Sequence, residues 1–361
     1  MNSVSGDRPT RLGRRRFLQG AGAALALPAL AASGVIDTGA VAGRPRWHPL
    51  FSNDAGAPSI VTPGGVAVPG ARWLQEENAR PGTLDWIVTG HQQQRAIEGF
   101  AGSVSAAAGD ELPLFVHTLA RSFHVEAYRM GYYQGLGARL VWRSDQLAGT
   151  SQPPPVLTAG TNTVECRWKP SLSLAVDGSW PPGAYLLKLV GSNGEQQFVP
   201  LCVRDDTSSA TFVVQHSVTT WQAYNLWGGY SLYYGSTGGG FTFTQSPNGK
   251  TYAQRARVVS FDRPYPQTWA QGASDFLGNE FPLVYDMERL GLDVAYVTDL
   301  DVHRNPSALL RHRCLLSLGH DEYWSLEMRD GVARARDAGL NVAFLGANAC
   351  YRPIRMAASP M

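Results

Sequence analysis

The 361-residue chain has only four cysteines, Cys166, Cys202, Cys314 and Cys350, and no two are spaced as CxxC. That spacing excludes a zinc ribbon and a thioredoxin-like motif. Cys166 and Cys202 fall in one strand-rich region and are candidates to pair after export. Cys314 lies in an apolar run and reads as a small hydrophobe. There is no basic patch and no run of like charge, so nucleic acid is not an expected partner. No G-x-G-x-x-G follows the first strand of the second half, which argues against a dinucleotide. No G-x-S-x-G elbow occurs for a serine nucleophile, and no cysteine has such an elbow either.

The N-terminus carries a targeting pattern. Arg14-Arg15-Arg16-Phe17-Leu18 is a twin-arginine motif. The apolar run from Ala21 to Ala32 is too short to span a bilayer. Ala29-Leu30-Ala31 offers small residues for cleavage. Residues 1–32 are therefore predicted to be a signal peptide of the twin-arginine route. The rest of the chain is then expected outside the cell or in its envelope, with no stable membrane anchor. Residues 1–32 hold five Arg and one Asp, so removing them takes the formal charge from +2 to −2.

The remainder reads as three parts. Residues 33–95, rich in Pro, Gly and Ala without a strong period, predict an extended arm that docks through Trp47, Trp73 and Trp86. Residues 96–206 carry short alternating strands separated by turn signals such as Pro181-Pro182-Gly183 and Ser192-Asn193-Gly194, and predict an immunoglobulin-like β-sandwich. Residues 210–361 alternate strands with helices. Strands are expected at 211–214, 256–261, 294–297, 314–318 and 342–345, and helices at 279–290 and 325–338. This pattern predicts a doubly wound, mostly parallel sheet of up to five strands that looks short at its C-terminus. The fold class is thus α+β in two domains, a sandwich followed by an α/β catalytic-like domain.

Polar residues collect after the predicted strands. Trp221-Gln222-Ala223-Tyr224-Asn225 and a Tyr/Gly-dense loop follow the first, and Asp262-Arg263-Pro264-Tyr265-Pro266 the second. Asp299, Asp301 and His303 follow the third, His320-Asp321-Glu322 the fourth, and Asn348 and Arg352 the fifth. In a parallel sheet these loops meet at the carboxyl edge, where ligands bind. With nucleophile and nucleotide motifs absent, an oxygen-rich metal site remains. Carboxylates and phenolates are hard ligands that suit a cation such as ferric iron.

Four runs, Trp221–Asn225, Phe261–Tyr265, Gly319–Trp324 and Phe344–Asn348, resemble in order the large (β) subunit of N,N-dimethylformamidase. The resemblance is clearest from about 210 to 355. It implies an iron-dependent amidohydrolase whose single ferric ion is held by Tyr224, Tyr265 and Glu322. It also implies His320 and Asn348 as catalytic neighbours that orient water or the amide. It further implies a catalytic region continuing past Met361 with an acidic base there, and a small partner subunit or a homo-oligomer. The substrate expected is a small amide.

Each residue also has a plainer reading. Glu322 is then a helix-start carboxylate, Tyr265 a packed tyrosine between stiffening prolines, and Asn348 a turn residue. Tyr224 competes with Tyr230, Tyr233 and Tyr234. The alternative function is a non-catalytic secreted module whose aromatic loop holds a carbohydrate or envelope ligand.

Overall fold

The computed structural model describes residues 58–61, 64–89, 93–243 and 248–358. The twin-arginine run, the apolar run after it and Trp47 lie outside the described residues. Among the described residues the fold is mixed α+β, with many strands, few helices and no closed barrel.

The start of the described chain differs from a plain extended arm. Strands Ser59–Val61 and Ala67–Pro69 form a hairpin, and helix α1 (Arg72–Asn78) follows. Trp73 and Leu74 enter the main core. Trp86 donates from Nε1 to the Leu136 carbonyl at 2.9 Å and meets Phe281 edge-on. Docking of these indoles makes local order worthwhile where Pro and Gly content alone reads as loose chain.

Two largely antiparallel sheets follow. One orders Leu172–Ala175, Glu111–Thr118 and Ile97–Ala101; the other is built on Ser122–Met130, Gly183–Gly191 and Gln196–Arg204. Alternate residues Leu112, Leu114 and Val116 face Val125, Ala127, Leu187 and Leu189 in a shared core. Their neighbours are not left to solvent. Phe115 packs with Phe100, Trp168 and Trp227, while Tyr128, Met130, Leu186 and Cys202 join the core beneath the parallel sheet. Burial on both faces explains why these strands read as nearly continuous apolar runs. Cys166 and Cys202 are both free and belong to different clusters, so the candidate disulfide is not formed.

The parallel sheet has four strands: β1 (Phe212–His216), β2 (Val294–Thr298), β3 (Cys314–Gly319) and β4 (Asn341–Gly346). They lie side by side as β2-β1-β3-β4. The expected strand at 256–261 is absent. Ala256 N–H donates to the Ser231 carbonyl and Arg257 N–H to the Thr161 carbonyl, and Val258 is exposed. These residues are held by isolated bonds to two loops, so their β-branched run lines no sheet. The expected helices form as α3 (Phe281–Leu290), closed by Gly291 in the left-handed region, and α5 (Leu326–Asp337).

Helices cover both faces of this sheet. Val214, Tyr296 and Leu316 share a core with Val284 and Met287 of α3, while Val213, Ala295 and Leu315 pack on Met328, Val332 and Ala335 of α5. The N-cap of α5 is Ser325, whose Oγ accepts the Met328 N–H. Ser325→Ala should lower stability by about 1 kcal/mol in denaturant unfolding, with the slope of the transition unchanged.

Candidate active site

The carboxyl edge of β1 and β3 builds the site. Helix α2 (Val218–Tyr224) starts directly after β1 and ends on Tyr224. Its two threonines hold the segment after β3. Thr220 Oγ1 accepts the N–H groups of Glu322 and Tyr323 at 2.9 and 3.1 Å, and Thr219 donates its hydroxyl to the Tyr323 carbonyl at 2.7 Å. Side chains that compete with the backbone for hydrogen bonds are here used to fix the backbone of a neighbouring loop.

Asp321 anchors the same segment from below. Its Oδ2 accepts from Gln215 and Ser317, both at 2.7 Å, and its Oδ1 accepts the indole N–H of Trp324 at 2.7 Å. Burial raises the Asp321 carboxyl to about 6, against the pull of its three donors. Asp321 is thus a buried brace with its oxygens fully used.

The loop after α2 hangs on Arg263, which is 1% exposed. Its guanidinium donates to the carbonyls of Trp227, Tyr230, Gln222 and Asn225 and to the Gln222 side chain. No carboxylate faces it in this set, and burial lowers its pKa to about 10, still charged at neutral pH. Asn225 adds a bond from Nδ2 to the Pro264 carbonyl. Further on, Ser231 Oγ accepts the N–H groups of Tyr233 and Tyr234. The rigid fork of Arg suits this multi-carbonyl grip better than a lysine would.

These supports bring four functional groups together on Glu322. Tyr224 donates to Glu322 Oε2 at 2.6 Å and Tyr233 to Oε1 at 2.7 Å. His320 Nε2 lies 2.9 Å from Oε2. The two phenol oxygens are 3.0 Å apart and their rings stack at 4.4 Å. Arg352 Nε stands 3.7 Å from Oε1. The Glu322 side chain is 3% exposed and that of His320 28%, so the carboxylate is sheltered while its rim is open to a small molecule. Burial works against ionisation of Glu322, but Tyr224, Tyr233 and His320 outweigh it and hold the carboxyl below its usual range. Burial and the neighbouring carboxylate raise Tyr224, and burial with Tyr224 and Glu322 raises Tyr233, so both phenols keep their protons in this arrangement.

The expected residues divide as follows. Tyr224, Glu322 and His320 meet. Tyr265 takes another position: its ring lies edge-on to Trp221 and Trp269, and its buried hydroxyl has no hydrogen-bond partner among the described residues. Asn348 is exposed in the turn after β4, at φ 57°, where its carbonyl accepts the Tyr351 N–H. Asp301 closes the capping box of α4 (Asp299–Arg304), and His303 bonds Ser325 Oγ. Asp299, buried, accepts from Thr219. Sequence reasoning set Arg263 and Arg352 in loops at this edge and named Tyr233 as a rival of Tyr224, but gave none of the three a role. Tyr233 was one of four nearby tyrosines, and its bond to Glu322 Oε1 is what singles it out.

Two phenols, a carboxylate and an imidazole on one point form a set of hard oxygen donors with one nitrogen, and such a set fits ferric iron. Among the described residues, no group of three or more His, Cys, Asp or Glu side chains could hold a metal. The phenols are therefore essential to any metal site here.

One close approach controls where His320 sits. Gly319, at φ 63°, pairs in register with Gly346 of β4. A methyl group on Gly346 would run into the Gly319 carbonyl, a backbone atom that cannot rotate away. Gly346→Ala should therefore part β3 and β4 just before His320, costing about 1–3 kcal/mol in thermal unfolding. Gly346→Ala should also weaken any metal uptake measured by titration.

The family described as N,N-dimethylformamidase beta subunit-like, C-terminal, matches residues 124–361. No curated protein matches the chain. Among solved structures, that of murine CEACAM1b is similar over 33% of this chain, at 12% identity and a TM-score of 0.17. The chain spans 62% of that murine chain, and the likeness carries no argument.

Proposed function

This chain belongs to the N,N-dimethylformamidase beta subunit-like family, and on that premise we propose that it is an exported, iron-dependent hydrolase of small amides. The observation that carries the reading is the convergence of Tyr224, Tyr233 and His320 on the two oxygens of Glu322. In this proposal Tyr224, Tyr233 and Glu322 hold one ferric ion, with Tyr233 in the place first given to Tyr265. When bound, ferric iron polarises an amide carbonyl and acidifies water.

The protein's own groups do the rest. Glu322 presents two oxygens in fixed directions because Thr220 clamps its backbone N–H. His320, partly open to solvent and held at Nε2 by Glu322, takes a proton from water on its imidazole ring and returns it to the leaving amine. Arg352, half-exposed at the rim, favours a carbonyl oxygen gaining negative charge. Asn348 stands in this reading as a residue of the turn that carries Arg352 toward Glu322. The small-amide partner, export by the twin-arginine route, and a small subunit or second copy beside this chain belong to the same proposal. So does the finer architecture, in which the antiparallel sheets are an immunoglobulin-like sandwich and the parallel sheet a doubly wound unit.

The test is to purify the protein without its first 32 residues, measure bound iron, record the visible spectrum and assay amine release from N-substituted formamides. Bound iron, a phenolate-to-iron charge-transfer band and amine release are expected. A colourless protein that takes up no added ferric iron would overturn the proposal. Exposed Tyr234, Phe241 and Tyr252 favour a sugar-stacking platform as the second reading. Binding of oligosaccharide by such a colourless protein would support it.

A further inference from the structure

Helix α4 opens on Asp299, directly after its N-cap Thr298. Asp299 is 0% exposed. The helix start does not need this carboxyl group, because Thr298 and Asp301 close the capping box between them. What Asp299 meets instead is Thr219, near the start of α2. Its Oδ2 accepts the Thr219 N–H at 3.0 Å and lies 2.5 Å from Thr219 Oγ1. The same hydroxyl lies 2.7 Å from the Tyr323 carbonyl, in the segment that carries Glu322.

The protons in this chain of three groups can be counted. Oxygen atoms at such distances hold a proton between them. A threonine hydroxyl has one proton to give, and a backbone carbonyl has none. One proton cannot fill both contacts. The Asp299 carboxyl is the group left to supply the second.

We infer that Asp299 is a neutral carboxylic acid whose Oδ2–H donates to Thr219 Oγ1, which leaves the Thr219 hydroxyl free to hold the Tyr323 carbonyl. The surroundings favour the neutral form. Burial and the neighbouring Asp321 raise Asp299 well above the usual carboxylate range, against the bonds from Thr219, and Glu280 adds to the rise. Tyr265 is a further titratable group that feels its charge, and none of these three neighbours is a cation. Ionised, Asp299 would claim the Thr219 proton, and the Tyr323 carbonyl would lose this donor. Asp299 is thus a positioning residue, acting through Thr219 on the backbone beside Glu322. The proton count does not depend on the metal reading of the Glu322 cluster.

The test is neutron diffraction from a deuterated crystal of the whole protein at neutral pH. Two deuterons are expected, one on Asp299 Oδ2 directed at Thr219 Oγ1 and one on Thr219 Oγ1 directed at the Tyr323 carbonyl. A bare Asp299 carboxylate, or a single threonine deuteron turned toward it, would overturn the inference. Variants give an independent readout. Asp299→Asn keeps a donor toward Thr219, whereas Asp299→Ala has none. Asp299→Asn should therefore melt close to wild type and Asp299→Ala well below it. An Asn variant as damaged as the Ala variant would count against the acid, because a donor cannot replace an ionised acceptor. Where wild type binds ferric iron, Asp299→Asn should keep the affinity and Asp299→Ala should lose roughly 10–100-fold. Unchanged affinity in a folded Asp299→Ala protein would remove the positioning role. A wild type that binds no iron overturns the amidase proposal alone and leaves the neutron map to decide this one.

Discussion

Glu322→Gln is expected to lower iron affinity by more than about 100-fold and to remove amide hydrolysis with it. Loss of a group that merely supports a metal ligand costs roughly 10–100-fold, and Glu322 is proposed as a ligand itself. The carboxamide has one oxygen and one donor nitrogen. Tyr224 and Tyr233 now each donate to a separate oxygen of Glu322, so one of them must lose its acceptor. The variant should remain folded, because the bonds from Thr220 and Thr219 to this segment run to backbone atoms. Iron titration with circular dichroism checks both parts. A folded Glu322→Gln protein that binds ferric iron as tightly as wild type would sink the proposed ligand set. Tyr224→Phe and Tyr233→Phe should each weaken the charge-transfer band.

Glu288→Ala is expected to destabilise the fold by about 3–5 kcal/mol, because it strands a buried charge. Arg129 and Glu288 are 0% exposed and joined by two bonds, at 2.6 and 2.8 Å. Glu288 also accepts from Tyr296 and Asn78, and Arg129 donates to Tyr133 and to the Pro182 carbonyl. The network therefore ties an antiparallel strand, α1, α3 and β2 together. Burial works against the guanidinium and Glu288 outweighs it; without Glu288 the charge stays, because a guanidinium does not give up its proton in a protein, and it is left buried. Replacing the pair together, with Arg129→Met and Glu288→Leu, should cost far less than the single change, since neither charge is left alone. Denaturant unfolding of the three proteins is the measurement. A Glu288→Ala cost under about 1 kcal/mol would show that the ion pair carries little net stability.

The strands and helices were legible where a periodic pattern met a cap. Helix α3 shows apolar residues three apart and stops at Gly291; α5 begins on Ser325 and is followed by Gly339. The run at 256–261 misled because β-branched residues read as strand whether or not a neighbour is there to pair with them. Helix α1 was missed because seven residues among Pro and Gly give too short a period to see.

The site was half legible. His320 and Glu322 stand next to a strand end, which local pattern marks, whereas Tyr224, at the end of a short helix, came only from the family resemblance and had three rivals nearby. Tyr233 could not be chosen over Tyr230 or Tyr234, because that choice depends on which phenol bonds Glu322 Oε1 in the folded chain. Tyr265 sits in a loop whose prolines suit a preorganised ligand, yet its ring packs on Trp221 and Trp269. What the sequence by itself determined is the list of chemical groups and the strand ends that bear them, since periodicity and capping are local. Which tyrosine reaches Glu322 was decided only by tertiary structure. That choice turns on hydrogen bonds between residues dozens of positions apart, such as those from Tyr224 and Tyr233 to Glu322.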